Sequence, residues 1–576
     1  MTRRVPITSI MSATLKHGYK NLSADLGKPV RFFTLGNSKP NIFHDIRQKT
    51  AYGDKETGQA LLGGLFNYGG QNLDVGKQGD PWTIPAPSER FARWLHQFDW
   101  LDDLISTQEK SAHIRARMLV DRWIAVYGKW NRFAWDPDIL VHRLYNWLIL
   151  WSPSLQMDNL SEAAQLRRNA TLRQLKRLKQ VYFQTQPGLN RLKAASTLTL
   201  GGARLQENSE SYFTRGLDWL DDEIETQILP DGGHISRSPT QCFEVLKILQ
   251  TVDTLLQARG FEGSRALSRG IDRLLPVIPF FMTRQGSLAG FNGGGEGPVK
   301  QISKVVKKAK LNSKPFSYCP HTHYQRIENN GTVLLVDTGT NPPRPFDSAA
   351  HLAPLAIDVS TTAGRLFINC GWNAQQPEHW RRPMRSTAAH STLCLNAKSA
   401  GALMKPGWFN TVLHNAVRDE SGPVNVSRKE QDSGVWLEAT HEGYKKTTGL
   451  AHRRRLYLSI DGHDLRGEDS LAVPLGAAPL TRDEIPYQIR FHLHPSVKLT
   501  LAQNLQSALL IQPGNVGWRF RTDGGPLSIE ASVYLGAGSH PVKTQQLVIS
   551  GLALGDSDGE TRSNRVRWSL KRLDSA

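Results

Sequence analysis

The chain has 576 residues, 39% of them hydrophobic, with 71 Lys and Arg against 52 Asp and Glu for a formal charge of +19. That length allows two to four domains with sizeable cores, and no run of about eighteen apolar residues appears, so no membrane span is expected. The basic balance attracts polyanions without choosing between nucleic acid, anionic lipid and acidic polysaccharide.

The first residues, MTRRVPITSIMSATLKHGYK, place Arg3 and Arg4 before a mildly apolar stretch, but His17 and Lys20 follow closely. No secretory signal is read there, and residues 1–60 are taken as an N-terminal extension. Helical periodicity then runs from about Ser88 to about Met282. Ser88–Ser106 puts Phe91, Trp94, Leu95, Phe98, Leu101 and Ile105 on one stripe. Ala112–Tyr127, Asp138–Leu150, Ala163–Tyr182, Asn190–Leu205, Glu210–Ile228, Pro239–Arg259 and Ser264–Met282 follow with short linkers. Short linkers imply antiparallel hairpins, so residues 61–285 are expected to form an incomplete α/α toroid or a bundle. Trp94, Trp100, Trp130, Trp135 and Trp147 sit in this half, mostly on apolar stripes, which favours core packing over sugar stacking.

Residues 286–323 change texture. A Gly-rich stretch, GSLAGFNGGGEGPVK, cannot be helical throughout, and Lys300, Lys304, Lys307, Lys308, Lys310 and Lys314 follow it. This is expected to be a solvated connector or a basic rim. From Tyr324 onward alternation and turn signals predict strands at Thr332–Val336, Leu355–Val359, Leu366–Asn369, Arg454–Ile460, Ile489–His494, Trp518–Thr522, Ser528–Leu535 and Gln546–Ile549. So many strands in about 250 residues need two packed sheets, hence an antiparallel β-sandwich over 324–576. Helices first and strands second argue for separate domains. Cys242, Cys319, Cys370 and Cys394 match no zinc knuckle or disulfide framework and read as buried free thiols.

Several segments resemble the bacterial heparinase II/III family. In the helical half these are DPWTIPAPSERFARWLHQFDWLDDL (Asp80–Leu104), the Arg143, Asn146 and Trp147 cluster of HRLYNWL, and LPDGGHISRSP (Leu229–Pro239). In the C-terminal half they are GFNGGGE (Gly290–Glu296, with Asn292), LFINCG, RSTAAHSTL, GEDSL and RFHLHP. The resemblance runs from about residue 60 and rests on the order of the motifs. It implies a polysaccharide lyase: β-elimination of a uronic-acid-containing glycan such as heparan, held between toroid and sandwich. That chemistry needs the sugar carboxylate neutralised before the C5 proton can leave, with a base and an acid in reach. The resemblance also implies a cell-envelope or periplasmic setting.

Asn190, in PGLNRLKAAS, matches the family's carboxylate-binding Asn; the residue type equally suits a helix cap. His234 lies in a Gly-rich loop before Ser238, an expected N-cap, and Pro239, an expected first helical residue. That helix start would present free N–H groups to an anion, and Arg237 could grip a carboxylate or sulfate. Arg143, Asn146, Trp147 and Asn292 are carried over as substrate-binding residues. His351 and His390 are catalytic candidates; each could instead be a structural histidine. The family's DGGHxERSPxY pattern breaks here, with Ser236 for Glu and Thr240/Gln241 where the Tyr would fall. Tyr145, Tyr182 or Tyr212 could stand in, or activity could be lost.

No cofactor is required by this chemistry. Some relatives hold a structural zinc with two His and an Asp, but Asn369 and Cys370 occupy the intervening positions here. His492 and His494 alternate onto one strand face without an evident third ligand. The expected partner is an acidic polysaccharide. Without a basic, aromatic-interleaved motif or a zinc finger, nucleic acid is not expected. The lead reading is therefore a lyase, and the other a non-catalytic glycan-binding or envelope protein on the same fold.

Overall fold

The computed structural model describes residues 43–44, 52–150, 161–206, 209–309, 314–405, 417–419, 422–538 and 540–573. Most of the expected extension 1–60, together with Lys310, lies outside these. The described residues form two compact units, one comprising Leu229–Phe243 and the described residues from Arg273 onward, the other Glu244–Asp272 and the described residues up to Ile228. Neither is continuous in sequence, and the expected boundary at 285 does not coincide with theirs.

The second of these units is helical. It contains α1 (Lys55–Gly63), a small hairpin β1 (Leu65–Tyr68) and β2 (Gln71–Asp74), then α2 (Glu89–Gln97), α3 (Leu101–Ser106), α4 (Lys110–Tyr127), α5 (Pro137–Ile149), α6 (Glu162–Val181), α7 (Leu189–Arg204) and α8 (Glu210–Gln227). The single helix expected over Ser88–Ser106 is broken in two. Ser88 caps α2 by accepting the Phe91 N–H at 3.2 Å, and Phe98 ends it in the left-handed region at φ 59°. The stripe survives the break, because Phe91, Trp94, Leu95, Phe98, Leu101 and Ile105 are all buried. Asp136 caps α5, with Pro137 in its first turn, where a missing N–H does no harm. Helices α7 and α8 approach so closely that a Cβ on Gly216 would lie 2.4 Å from the Thr199 nitrogen.

Helices α9 (Pro239–Ala258) and α10 (Arg265–Phe281) follow. The lysine-rich connector is not open coil throughout: Val299–Lys308 forms α11, with Ile302 and Val305 buried. Its lysines fall on the remaining face, the amphipathic division that stabilises a short surface helix.

The β unit holds two antiparallel sheets. One runs β19-β20-β15-β7-β6-β5-β4-β3, with β8 also pairing β15. Its strands are β3 (Tyr318–Cys319), β4 (Tyr324–Asn329), β5 (Thr332–Asp337), β6 (Ile357–Thr361), β7 (Gly364–Ile368), β8 (Leu393–Leu395), β15 (Glu484–Leu493), β19 (Leu527–Tyr534) and β20 (Val542–Leu554). The other runs β11-β12-β13-β14-β21-β18-β17-β16. It comprises β11 (Val424–Gln431), β12 (Gly434–His441), β13 (Ala451–Ser459), β14 (Asp464–Ala472), β16 (Lys498–Leu501), β17 (Ser507–Gln512), β18 (Val516–Thr522) and β21 (Arg565–Arg572). A further pair, β9 (Ala402–Leu403) and β10 (Val417–Asp419), stands apart. Alternate residues of both large sheets meet in one core that includes Ile327, Leu334, Phe367, Leu456, Ile489, Phe491, Phe520, Trp568 and Leu570. All four cysteines are free and buried. Among the described residues no helix is long and apolar enough to cross a membrane.

Candidate functional site

In the helical unit the expected substrate residues separate onto two faces of α5. Positions four apart share a helix face. Arg143 and Trp147 share the inner one and have no exposed surface. Arg143 lies 4.1 Å over the Trp123 ring and donates to Gln174 and to the carbonyls of His96 and Ala134. Trp147 meets Phe98 and Trp123 edge-on. The expectation that these two touch substrate is corrected: they are core residues. Trp94, Trp100 and Trp135 are buried likewise.

His142 and Asn146 occupy the other face. Asn146 Nδ2 donates to Asp99 at 2.9 Å, and His142 Nδ1 lies 3.1 Å from the same carboxylate oxygen. His142 Nε2 reaches Asn190 Oδ1 at 3.2 Å, and Lys193 Nζ lies 3.2 Å from His142 Nδ1. Asn190 is not the cap of α7, since Gly188 holds that position. Its amide instead joins a half-buried cluster of Asp99, His142, Asn146 and Lys193 at the start of that helix. Burial raises the Asp99 carboxyl, but His142, Lys193 and Asn146 outweigh it and hold Asp99 down at about 2. Burial lowers Lys193. An ammonium, a carboxamide and a helix N-terminus can meet a carboxylate-bearing ligand here, which would share Lys193 with the ionised Asp99.

The β unit contains His234, Arg237, Asn292, His351 and His390, and four of them form one buried chain. Asp231 first fixes the loop: its carboxylate accepts from the backbone of His321 and Thr322 and from the Thr322 hydroxyl at 2.6–2.8 Å. Gly232, at φ 84°, leaves a Cβ position only 1.9 Å from the Arg273 carbonyl, so no other residue fits. Arg237 then turns inward. Its guanidinium pairs with Asp337, donates to the carbonyls of Thr322, Thr340 and His323, and lies 4.8 Å over the Tyr324 ring. At 6% exposure it is a structural ion-pair residue, not the expected substrate grip.

Asn292 continues the chain. Its Nδ2 donates to Tyr324 Oη at 2.7 Å and to Asp337 at 3.2 Å, while Oδ1 accepts the His351 N–H at 3.0 Å. It is 2% exposed, so the substrate-binding expectation for Asn292 is corrected too. His351 Nε2 accepts the Gly293 N–H at 2.9 Å, and its Nδ1 meets His390 Nε2 at 2.8 Å. His390 Nδ1 lies 2.8 Å from the Ser386 carbonyl. A single tautomer pattern satisfies this chain: each Nδ1 carries the proton, each Nε2 accepts, and both rings are neutral. Burial pushes His390 down to about 4, and burial with His390 and Arg385 lowers His351. Every ring nitrogen of the pair is engaged within the protein.

The same saturation argues against zinc. The Asn369 amide is bonded to Ile357 and Ser391, and Cys370 faces His492 and Ser532. His492 contacts Ser532 and the Ala388 carbonyl, whereas His494 contacts Ser496, so these two share no ligand site. The residues present do not fit the ion that the resemblance left open.

His234 is buried, with Nδ1 2.7 Å from Ser236 Oγ, and burial drives it down to about 3. The Ser238 carbonyl accepts the Cys242 N–H at the start of α9, but its hydroxyl makes no side-chain cap bond. At the place expected for a Tyr, Thr240 Oγ1 accepts the Gly295 N–H. Tyr145 is buried, Tyr182 stacks at 4.0 Å on Trp219, and burial raises the phenols of Tyr145, Tyr182 and Tyr212 alike.

Asp337, Tyr324, Asp99, His142 and Lys193 were not singled out from sequence. Asp337 ends an apolar strand, a sign of a buried countercharge, and His142 stands at helical spacing from Asn146.

A helical unit with a unit of two large antiparallel sheets is the layout that the heparinase II/III resemblance implies. Residues 312–569 match the family described as heparinase II/III-like, C-terminal. The chain is 31% identical over 526 residues to the FtsZ-localized protein C of Caulobacter vibrioides (strain NA1000 / CB15N), covering 90% of this chain and 88% of that one. It thus belongs to the heparinase II/III-like family. Its fold matches a crystal structure of heparinase III with a TM-score of 0.69 at 12% identity, over 99% of this chain and 92% of that one. The heparan sulfate lyase HepC of Pedobacter heparinus matches with a TM-score of 0.56 at 13% identity, over 100% and 92% of the two chains.

Proposed function

We propose that this chain keeps the lyase fold to hold an acidic glycan and does not cleave it. The observation that carries this reading is the His351–His390 pair, whose ring nitrogens are all bonded within the protein. Proton transfer needs a group within hydrogen-bond reach of the substrate and a pKa near the working pH. His351, His390 and His234 are buried and held neutral, and Thr240 supplies no phenol. The ligand contact that remains is the half-buried cluster of Asn190, Lys193 and His142, where a uronate carboxylate would meet Lys193 and the first turn of α7.

The test pairs turnover with binding. Incubation with heparin, heparan sulfate and polygalacturonate should give no rise in the unsaturated-uronide absorbance band; a steady rise with any of them restores the β-eliminating lyase. Titration with the same polymers should show binding that Asn190→Ala/Lys193→Ala weakens about tenfold or more, the scale of one lost charge-assisted contact. Unchanged binding in that variant would remove the site.

A second strand of the reading comes from the Caulobacter relative, whose name places it at FtsZ. We carry that placement to this chain. A fluorescent fusion should coincide with FtsZ in dividing cells, and a uniform distribution would remove this part.

A further inference from the structure

The eight-stranded sheet carries an aromatic and cationic row across its outer face. Register sets the row. Lys429 of β11 stands opposite Trp436 of β12, Trp436 opposite Tyr457 of β13, and Tyr457 opposite Arg466 of β14. Arg466 stands opposite Ser569 of β21, and Ser569 opposite Arg521 of β18. Directly paired side chains share a face and repeat at the strand spacing of about 4.8 Å, so six strands present one straight line. Trp436 is 41% exposed and rests at 4.6 Å on the Tyr457 ring. Arg466 lies 5.6 Å from the centre of that ring and pairs with Asp464. Lys429 and Arg521 are exposed, with no ion-pair partner among the described residues. A cavity of about 590 Å³ is lined by Trp436, Arg466, Ser569 and Arg521 and also by Arg455, Glu468, Arg567 and Asp523 of a neighbouring row.

That second row is of a different kind. Arg455 pairs with Glu438 and with Glu468, and Arg567 pairs with Glu468. Asp523 accepts the Arg567 N–H. Apart from Asp523, its charges answer one another, while the first row holds three cations, of which Arg466 alone is paired, with Asp464. A large indole left half in water beside the Arg521 guanidinium and the Lys429 ammonium, neither of them ion-paired among the described residues, is an unfilled contact surface.

We propose that this row is a ligand site for an acidic glycan, built from other residues than the Asn190 cluster and standing whether or not that cluster binds. The flat C–H face of a sugar ring covers the Trp436 indole, and its carboxylates meet Arg466, Arg521 and Lys429. The carboxylates of Glu438, Glu468 and Asp523 along the edge accept sugar hydroxyls. The same carboxylates oppose nucleic acid, which carries a negative phosphate on every nucleotide, and phosphates offer no donors.

The experiment measures binding of the full chain to polygalacturonate, to neutral dextran and to oligo-dT, for the parent, Trp436→Ala/Arg521→Glu and Asn190→Ala/Lys193→Ala. Arg521→Glu alone is the safeguard if the double variant melts early, since its side chain lies at the surface. Polygalacturonate should bind the Trp436/Arg521 variant about tenfold or more weaker than the parent, dextran should not bind, and oligo-dT should bind the parent more weakly than polygalacturonate. Parent-like affinity for polygalacturonate in both Arg521 variants overturns the site, as does oligo-dT binding as tight as polygalacturonate. If only the Asn190/Lys193 variant loses affinity, this inference fails and the proposed function stands; if only the Trp436/Arg521 variant does, the helical-unit site fails and this one stands.

Discussion

Acidification from pH 7 to pH 5 should loosen the β unit selectively, because that unit buries neutral imidazoles. Burial takes His234 to about 3, His390 to about 4 and His492 to about 3, from an ordinary 6.5. Between pH 6.5 and 4 the unfolded chain binds protons at these rings that the folded chain refuses. The stability they permit is therefore complete above about pH 6.5 and is lost as pH falls. At pH 5 each group withdraws about 2 kcal/mol, and the three together about 6 kcal/mol. A typical domain has only about 5–15 kcal/mol in total. His351 and His441 are lowered too and act in the same direction. In the helical unit Asp102 and Asp103 are raised by burial to about 6 and about 7. They hold protons in the folded state that the unfolded state releases, so their contribution improves as pH falls through 7 towards 4. Hydrogen exchange by mass spectrometry at the two pH values, corrected for intrinsic rates, resolves the units. Peptides over 229–243, 345–395 and 484–495 should lose protection at pH 5 relative to those over 97–150. Equal or greater protection of the first set at pH 5 would refute the assignment of neutral buried rings.

Arg237→Ala should destabilise the chain by about 3–5 kcal/mol in chemical denaturation, because Asp337 would be left buried without its partner; a loss below about 1 kcal/mol would return Arg237 to the list of ligand-binding residues. Gly232→Ala should lower the melting temperature and give little soluble protein at 37 °C, since the added Cβ meets the Arg273 carbonyl at 1.9 Å with φ at 84°; a parent-like melt would contradict that loop geometry.

The layout, helices first and two sheets second, was legible because each half keeps its own hydrophobic period. The break at Phe98 was not, since a left-handed residue inside an unbroken apolar stripe leaves the pattern intact. Within α5 the sequence marked residues of both faces: Arg143 and Trp147 drew attention as large, chemically capable side chains yet lie in the core, while the less prominent His142 shares the polar contacts of Asn146. That Arg237, Asn292, His351 and His390 are more than surface polar residues was legible from the motifs that hold them. Their purpose was not, because a composition of Arg, Asn and His describes an active centre and a saturated buried network equally well. Only distances show that each donor already has its acceptor.

The interleaved make-up of the two units bears on any attempt to dissect the molecule. A cut near residue 285 looks natural where helical sequence gives way to glycine, yet it would leave Asp231 and Arg237 on one fragment and Thr322 and Asp337 on the other. Each recombinant half would carry stranded charges and an unanchored loop, so separate expression should yield aggregation-prone pieces, whereas coexpressed halves have the means to reassemble.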